Sequence, residues 1–224
     1  METASKDVLF TIAMDLELPS LLRWCQSGSR IQKDVCNNSN VWRSKLLRDY
    51  PDYEKLDLKK SLKETYIFMY QLSLIKKLLN TEESLYDIFL KTKIDLSGKI
   101  LKKIPAFDLP NLKLLFLSRN NLTEIPTFNL PNVEQLWLNH NQLTKIPPFN
   151  FPKLETVDLS HNKLKEGPIF NSLNLEHVFL GNNELTEMPI SNLPNLRALE
   201  LYKNNLTEEN KKKLKQKYGH KVVL

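Results

Sequence analysis

Few residues of this chain are of a type and spacing suited to chemistry. His140 and His161 stand twenty-one positions apart, each followed by an asparagine, and imidazoles on neighbouring turns of a regular structure would be half of a transition-metal site. The equivalent positions on either side are Arg119 and Asn182, which bring no carboxylate or thiolate, so solvated loop histidines and no metal are expected. Cys25 and Cys36, the only cysteines, are expected to be two small buried thiols rather than a disulfide, which fits a reducing cytosol or nucleus. Five glycines in 224 residues leave no glycine-rich phosphate loop, and no Ser/His/Asp or Cys/His set falls on one site. The sequence therefore predicts no catalytic residue and no cofactor. What remains is binding chemistry, carried by Phe116, Trp137 and Phe179.

These aromatics sit on an internal repeat. The blocks NLKLLFLSRNNLTEIPTFNLP, NVEQLWLNHNQLTKIPPFNFP, KLETVDLSHNKLKEGPIFNSL, NLEHVFLGNNELTEMPISNLP and NLRALELYKNNLTEEN follow one another at a spacing of twenty-one residues. A degenerate earlier block, KIDLSGKILKKIPAFDLP, shares the register with Lys99 in place of asparagine. Leu115, Leu136, Val157, Val178 and Leu199 align, as do Leu117, Leu138, Leu159, Leu180 and Leu201. Two apolar residues separated by one mark the inward face of a short strand. Asn120, Asn141, Asn162, Asn183 and Asn204 follow three positions later, and buried there they can satisfy backbone groups that the bend would strand in the core. Leu122, Leu143, Leu164, Leu185 and Leu206 then point inside again. Prolines 105, 126, 147, 168 and 189, with Phe107, Phe128, Phe149 and Phe170, occupy the return path, which proline keeps extended or polyproline-like rather than helical.

Residues between the inward leucines face outward and form the candidate target-binding surface. One column is Asp95, Phe116, Trp137, Asp158, Phe179 and Glu200, flanked by Leu114, Gln135, Thr156, His177 and Ala198 on one side and Ser97, Ser118, Asn139, Ser160, Gly181 and Tyr202 on the other. Strands repeat every ~4.8 Å across a sheet, so these columns extend for about 25 Å. The aromatics are either anchors for a partner protein or a stack that shields the sheet. Asp158, with Asp95 and Glu200, favours a partner carrying a basic residue.

The repeat resembles the L-x-x-L-x-L-x-x-N-x-L pattern of the leucine-rich-repeat family, in one of its short-repeat classes, over about residues 85–224. That resemblance implies parallel strands lining the inside of a curved solenoid, each rung packed only on its neighbours. The ends must then be covered. TEENKKKLKQKYGH and the following VVL predict a capping helix opening at Thr207 and Glu208, a stop at Gly219 and a last strand.

Before the repeats the period changes. Val8, Leu9, Ile12, Ala13 and Leu16 share one face of a helix beginning after Ser5. A second helix has Pro19 in its first turn and Gly28 at its end, Ser29 opens a third, and Ser39 can cap a fourth that stops at Pro51. Leu56–Asn80 reads as a long amphipathic helix or helix pair joining the two parts. The pattern D-V-L-x-x-I-A-x-x-L-x-L-P-S-L-L-R with a later N-x-x-V-W-R-x-K-L resembles an F-box over roughly residues 4–50, with Ala4-Ser5 where that family usually has Leu-Pro. The resemblance implies docking on a Skp-type adaptor, and through it on a cullin–RING ubiquitin ligase, by Val8, Leu9, Ile12, Leu16, Pro19, Leu21, Leu22 and Trp42. The short Asn/Lys-rich repeats are similar to those of F-box proteins from large DNA viruses, which implies work inside a host cell.

Charge adds little to this reading. The net charge is +6, yet residues 81–206 hold 13 Lys+Arg against 14 Asp+Glu, while residues 207–224 hold six lysines against two glutamates. The excess is partly the solvated face of the capping helix, so nucleic acid is not expected as the main partner. No run of eighteen apolar residues occurs and the N-terminus lacks a basic start with a long apolar stretch, so neither a membrane span nor a signal peptide is expected. The sequence thus predicts an α+β repeat protein: an F-box-like helical domain over 1–52, a helical connector over 53–84, leucine-rich repeats with a parallel concave sheet over 85–206, and a helix/strand cap over 207–224. Its expected role is a cytoplasmic or nuclear substrate receptor of a ubiquitin ligase; the alternative is a protein-binding scaffold with a helical cap.

Overall fold

A computed structural model describes residues 6–27, 30–148 and 150–224. Four short helices open the chain: α1 (Lys6–Asp15), α2 (Leu18–Ser27), α3 (Arg30–Asn37) and α4 (Ser39–Asp49). Ala4-Ser5, Gly28 and Ser29, singled out as helix signals, lie outside the described residues. The cap of α4 is Asn38 rather than Ser39, its side chain accepting from the Asn40 N–H at 2.9 Å. Lys45 of α4 is fully buried, and its ammonium donates to the carbonyls of Met14 and Leu16, each at 2.9 Å. It thereby caps the C-terminal end of α1, where orphaned carbonyls and the helix dipole favour a cation. Burial pushes the Lys45 amine below its ordinary value, with neighbouring Arg48 acting in the same direction.

The cysteine expectation is corrected. Cys25 on α2 and Cys36 on α3 form a disulfide with their Cα atoms 5.8 Å apart, inside the window a disulfide spans. Eleven residues of separation say nothing of this; the packing of α2 on α3 brings the two side chains together. Cysteine usage therefore no longer points to a reducing compartment.

Next come a single 3-10 turn (Tyr53–Leu56), the eighteen-residue helix α5 (Leu62–Leu79) and the short α6 (Leu85–Leu90). Both helices open with a capping box, Ser61 with Glu64 and Ser84 with Asp87. α6 occupies the stretch at which the sequence pattern began the repeats. Tyr66 of α5 donates to the Asp49 carboxylate at 2.6 Å and its ring packs on Trp42 and Tyr50, while Phe68 meets Phe89 of α6 edge-on. One continuous apolar core runs from α1 through α5 and α6 into the repeats.

The solenoid consists of β1 (Lys93–Asp95), β2 (Leu114–Phe116), β3 (Gln135–Trp137), β4 (Thr156–Asp158), β5 (His177–Phe179), β6 (Ala198–Glu200) and β7 (Val222–Val223), a seven-stranded, wholly parallel sheet in chain order. From β1 to β6 each residue pairs with the one twenty-one positions on, as Leu115 with Leu136. The central residues of β1 to β6 are buried, as are the leucines two positions further along. Among the described residues no helix interrupts 97–206. The proline-bearing return path is extended, and parallel bridges join Asp108 to Asn129 and Glu166 to Glu187 across neighbouring rungs. The C-terminal cap is α7 (Glu208–Tyr218), opened by Thr207 and ended at Gly219, followed by β7 against β6.

The asparagine column holds this coil together. The Asn162 amide donates to the carbonyls of Leu138 and Leu159, each at 3.0 Å, and its oxygen accepts from the Leu143 N–H at 3.0 Å. Asn120, Asn141, Asn183 and Asn204 repeat the same bonds. Each asparagine serves its own rung and the one before it. The first rung is thus served by Asn120, which donates to Leu96 and accepts from Leu101, so these two backbone groups stay paired despite Lys99 in the rung's own asparagine position. The residue before each asparagine, Arg119, His140, His161, Asn182 or Lys203, has φ between 53° and 56°, a left-handed step that turns the asparagine inward after the strand.

Replacing Asn162 by alanine strands the Leu143 N–H in the core and leaves the Leu138 and Leu159 carbonyls with one asparagine donor each, Asn141 and Asn183, and is expected to cost about 2 kcal/mol in urea unfolding. The exposed Asn205→Ala is expected to change stability by less than about 0.5 kcal/mol. Equal losses for both would remove the column's special role.

Candidate functional site

On the concave face the outward residues of β1 to β6 form one wall. Phe116, Trp137 and Phe179 are half-buried and outward, as are Leu114, Gln135, Thr156 and His177 beside them and Asn139, Glu200 and Tyr202 further along. Phe116 and Trp137 stack with ring centroids 6.1 Å apart and planes 14° from parallel. Lys93 of β1, which lies twenty-one residues before Leu114 and extends its column by one rung, sets its ammonium 5.0 Å from the Phe116 ring centroid. The Trp137 indole N–H donates to Gln135 at 3.3 Å, and Phe179 lies nearly parallel to His177 at 6.3 Å. The stack and the open aromatic faces thus coexist.

The remaining outward positions are smaller and mutually bonded. Ser118 bonds to Asn139, and Tyr202 lies over Gly181, where an added Cβ would come within 2.5 Å of the phenol ring. Glycine at 181 is what lets Tyr202 settle there. Asp158 differs from expectation. Only 8% exposed, it accepts through Oδ1 from the N–H and hydroxyl of Ser160 at 2.9 and 2.6 Å, so it is a floor residue and not a projecting charge. Asp95 is exposed and accepts from the Ser97 N–H at 3.0 Å. Composition could not reveal Ser160 as the partner of Asp158; a carboxylate two residues before serine on a strand that then turns is the signal.

The two margins of the wall carry opposite charge. Along one run Lys113, Glu134, Glu155, Glu176 and Arg197, where Lys113 pairs with Glu134 at 2.9 Å and Arg197 with Glu176 at 3.2 Å. Along the other run Arg119, His140, His161, Asn182 and Lys203. The imidazoles of His140 and His161 stack at 4.1 Å, and Asn182 lies 3.3 Å from the His161 Nε2. No group of three or more metal-ligating side chains occurs among the described residues.

The residues matched to an adaptor-docking pattern divide. Val8 and Ile12 on α1 and Pro19 on α2 are exposed, and Leu16 and Leu22 are half-buried. Leu9, Leu21 and Trp42 are core: Trp42 donates its indole N–H to the Cys36 carbonyl at 2.7 Å, and Leu21 has no exposed surface. The structure places those three in the helical core; the docking set came with the F-box resemblance, which does not say which of its apolar residues this chain's own helices cover. A cavity of about 340 Å³ opens where α4, the 3-10 turn, α5 and α6 meet, lined by Tyr50, Leu56, Met69, Leu85 and Tyr86 among others. Asp49 at its edge is already engaged by Arg48 and Tyr66. No described helix is long and apolar enough to cross a membrane.

Over residues 131–169 the sequence matches the family model "Leucine Rich repeats (2 copies)". These rungs are leucine-rich repeats. The rungs on either side share their register, asparagines and parallel pairing, so the solenoid continues the same unit. Among solved structures, the chain is similar to an LRR protein of Leptospira interrogans (25% identity, TM-score 0.39, over 54% of this chain and 37% of that one). It is also similar to a Shigella effector LRR domain (19%, 0.40, over 73% and 78%) and to YopM, a leucine-rich effector protein from Yersinia pestis (25%, 0.42, over 75% and 48%). It therefore spans well under half of the Leptospira protein and about half of YopM. No curated protein sequence matches this chain.

Partial burial lowers the proton affinity of His140 below its ordinary value of 6.5, His161 and Arg119 lower it further, and Asp158 opposes them. A folded-state value below the unfolded one means that the unfolded chain binds the proton more tightly. The contribution is intact above about pH 6.5 and is lost as pH falls through and below that value. Melting temperature is therefore expected to fall between pH 7.5 and 5 by more in the wild type than in His140→Asn, which keeps the left-handed backbone without the imidazole. Identical pH profiles would show that the stack carries no such strain.

Proposed function

We propose that this chain is the non-catalytic substrate-recognition subunit of a Skp–cullin–F-box type ubiquitin ligase, with its N-terminal helices docking the adaptor and its concave wall holding the target protein. The observation that carries the reading is the presence, on one continuous core, of two separate apolar surfaces, an exposed pair on α1 and a half-buried aromatic wall on the sheet. Val8 and Ile12, 50% and 38% exposed, lie one turn apart on α1, and the Phe116–Trp137–Phe179 wall lies on the sheet. The joint of α4, α5 and α6 connects them through buried rings and the Tyr66–Asp49 bond rather than through a free linker. A fixed separation between adaptor and target raises the effective concentration of target lysines near the conjugating enzyme, and no chemistry by this chain is needed. Such a role belongs to the cytosol or nucleus.

A plain binding scaffold is the second reading. It is favoured by Leu9, Leu21 and Trp42, which are committed to the helical core, as they would be in a module that only covers the first rung.

The two readings separate on adaptor capture. Full-length chain on beads is expected to retain a purified Skp-type adaptor, and Val8→Asp with Ile12→Asp to lose it without a change in melting temperature. Failure of the wild type, where a known F-box protein succeeds, would sink the ligase half. On the wall, Trp137→Ala with Phe179→Ala is expected to empty the set of proteins marked by proximity labelling while lowering melting by only a few degrees. Collapse of the fold would make the rings structural.

A further inference from the structure

The outward side chains of the wall cover one another on most rungs, and one gap is left. Lys93 covers Phe116, Phe116 stacks on Trp137, Phe179 lies along His177, and Tyr202 covers Gly181. Between Trp137 and Phe179 runs β4, whose outward residues Thr156 and Asp158, like Ser160 just beyond the strand, carry no ring. The register aligns Trp137, Asp158 and Phe179 on three successive strands, so the two rings are anchored roughly 9.6 Å apart, two strand spacings, with Asp158 between and below them.

The floor of the gap is unfinished. Ser160 occupies Oδ1 of Asp158, whereas Oδ2 accepts no hydrogen bond and no cation pairs with the carboxylate among the described residues. Among the described residues no fully buried side-chain oxygen lacks a partner, so Oδ2 of this 8% exposed residue still reaches solvent. At the rim of the same rung stands Glu155. Its neighbours Glu134 and Glu176 are neutralised by Lys113 and Arg197, but Glu155 has no ion pair among the described residues. A carboxylate nine-tenths buried between two aromatic residues, with an unpaired carboxylate on the margin of the same rung, is complementary to a flat cation.

We propose that this gap seats an arginine side chain of the partner protein, its guanidinium lying between Trp137 and Phe179 and donating to Asp158 Oδ2. The proposal rests on the concave wall being the partner surface and names the chemistry that surface selects. Arginine fits better than lysine because its planar head can contact both rings while a fork of N–H groups meets the carboxylate. The wall itself already uses the same attraction, in Lys93 over Phe116.

The test uses isotope-labelled full-length chain titrated with N-acetylarginine methylamide and, separately, with the uncharged isostere N-acetylcitrulline methylamide and with N-acetyllysine methylamide. The arginine probe is expected to shift the Trp137 indole and the Asp158 and Ser160 amides with a Kd on the order of 1–10 mM. The citrulline probe should bind at least about tenfold more weakly and the lysine probe several-fold more weakly. Asp158→Asn, which keeps an acceptor for Ser160, should weaken the arginine probe about tenfold. Should that variant fail to fold, Phe179→Leu, which keeps apolar bulk and removes the ring, is expected to weaken it several-fold.

Equal binding of citrulline, equal binding of lysine, shifts centred elsewhere, indifference to both substitutions, or silence up to about 100 mM would each overturn the arginine seat. A silent titration leaves the wall itself to the proximity-labelling comparison. A positive titration with an unchanged partner set in Trp137→Ala/Phe179→Ala would overturn the wall's part in capture and not the seat.

Discussion

The carboxamides of Asn120, Asn141, Asn162, Asn183 and Asn204 each reach two carbonyls and one N–H on adjoining turns. Without them, a chain that leaves its strand after three residues and bends at once would bury unpaired backbone groups on every rung, each costing about 1–3 kcal/mol. The bend is the condition for everything outside it. It keeps the strands short, sets their twenty-one-residue register, and so lines up every outward side chain with its equivalents on the rungs either side.

Because these bonds point backwards along the chain, the two ends of the solenoid face different problems. At the start Asn120 completes the first rung, and α5 and α6 close it with apolar side chains such as Ile88. At the end Asn210 of α7 instead covers the return path, donating to the Met188 carbonyl and accepting its N–H, each at 3.0 Å. Tyr218 does the same for Ser191, and β7 pairs with β6 so that the last repeat strand is not left as an edge. The capping helix, with its many lysines, is thus a structural lid whose charge faces water.

The concave wall inherits its properties from the same register. Residues of one type recur where the repeat places them, giving a margin rich in glutamate and a margin of arginine, histidine and lysine on either side of the aromatics. Departures from the repeat make the features that distinguish one rung from another: Asp158 in place of a ring, Gly181 in place of a serine, Lys93 ahead of the aromatic stack. A binding surface gains selectivity from such breaks, since a uniform wall would favour no single pose of a partner.

Much of this was legible in the sequence because a repeat converts spacing into direction: leucines at fixed phase must face the core, and the residues between them, Phe116 and Trp137 included, must face out. The asparagine column, the extended proline-bearing return path and the helix and strand of the cap followed from the same local rules. Where no repeat exists, the pattern of apolar residues could not say which were shared between helices, so the docking set implied by the F-box resemblance included Leu9, Leu21 and Trp42, which the structure buries. Only the packing of α2 on α3 could pair Cys25 with Cys36, and only the turn after β4 could fold Asp158 back onto Ser160. Periodicity fixes the face a side chain takes on its own element; what meets that face depends on distances between elements far apart in the chain, which the tertiary structure alone decides.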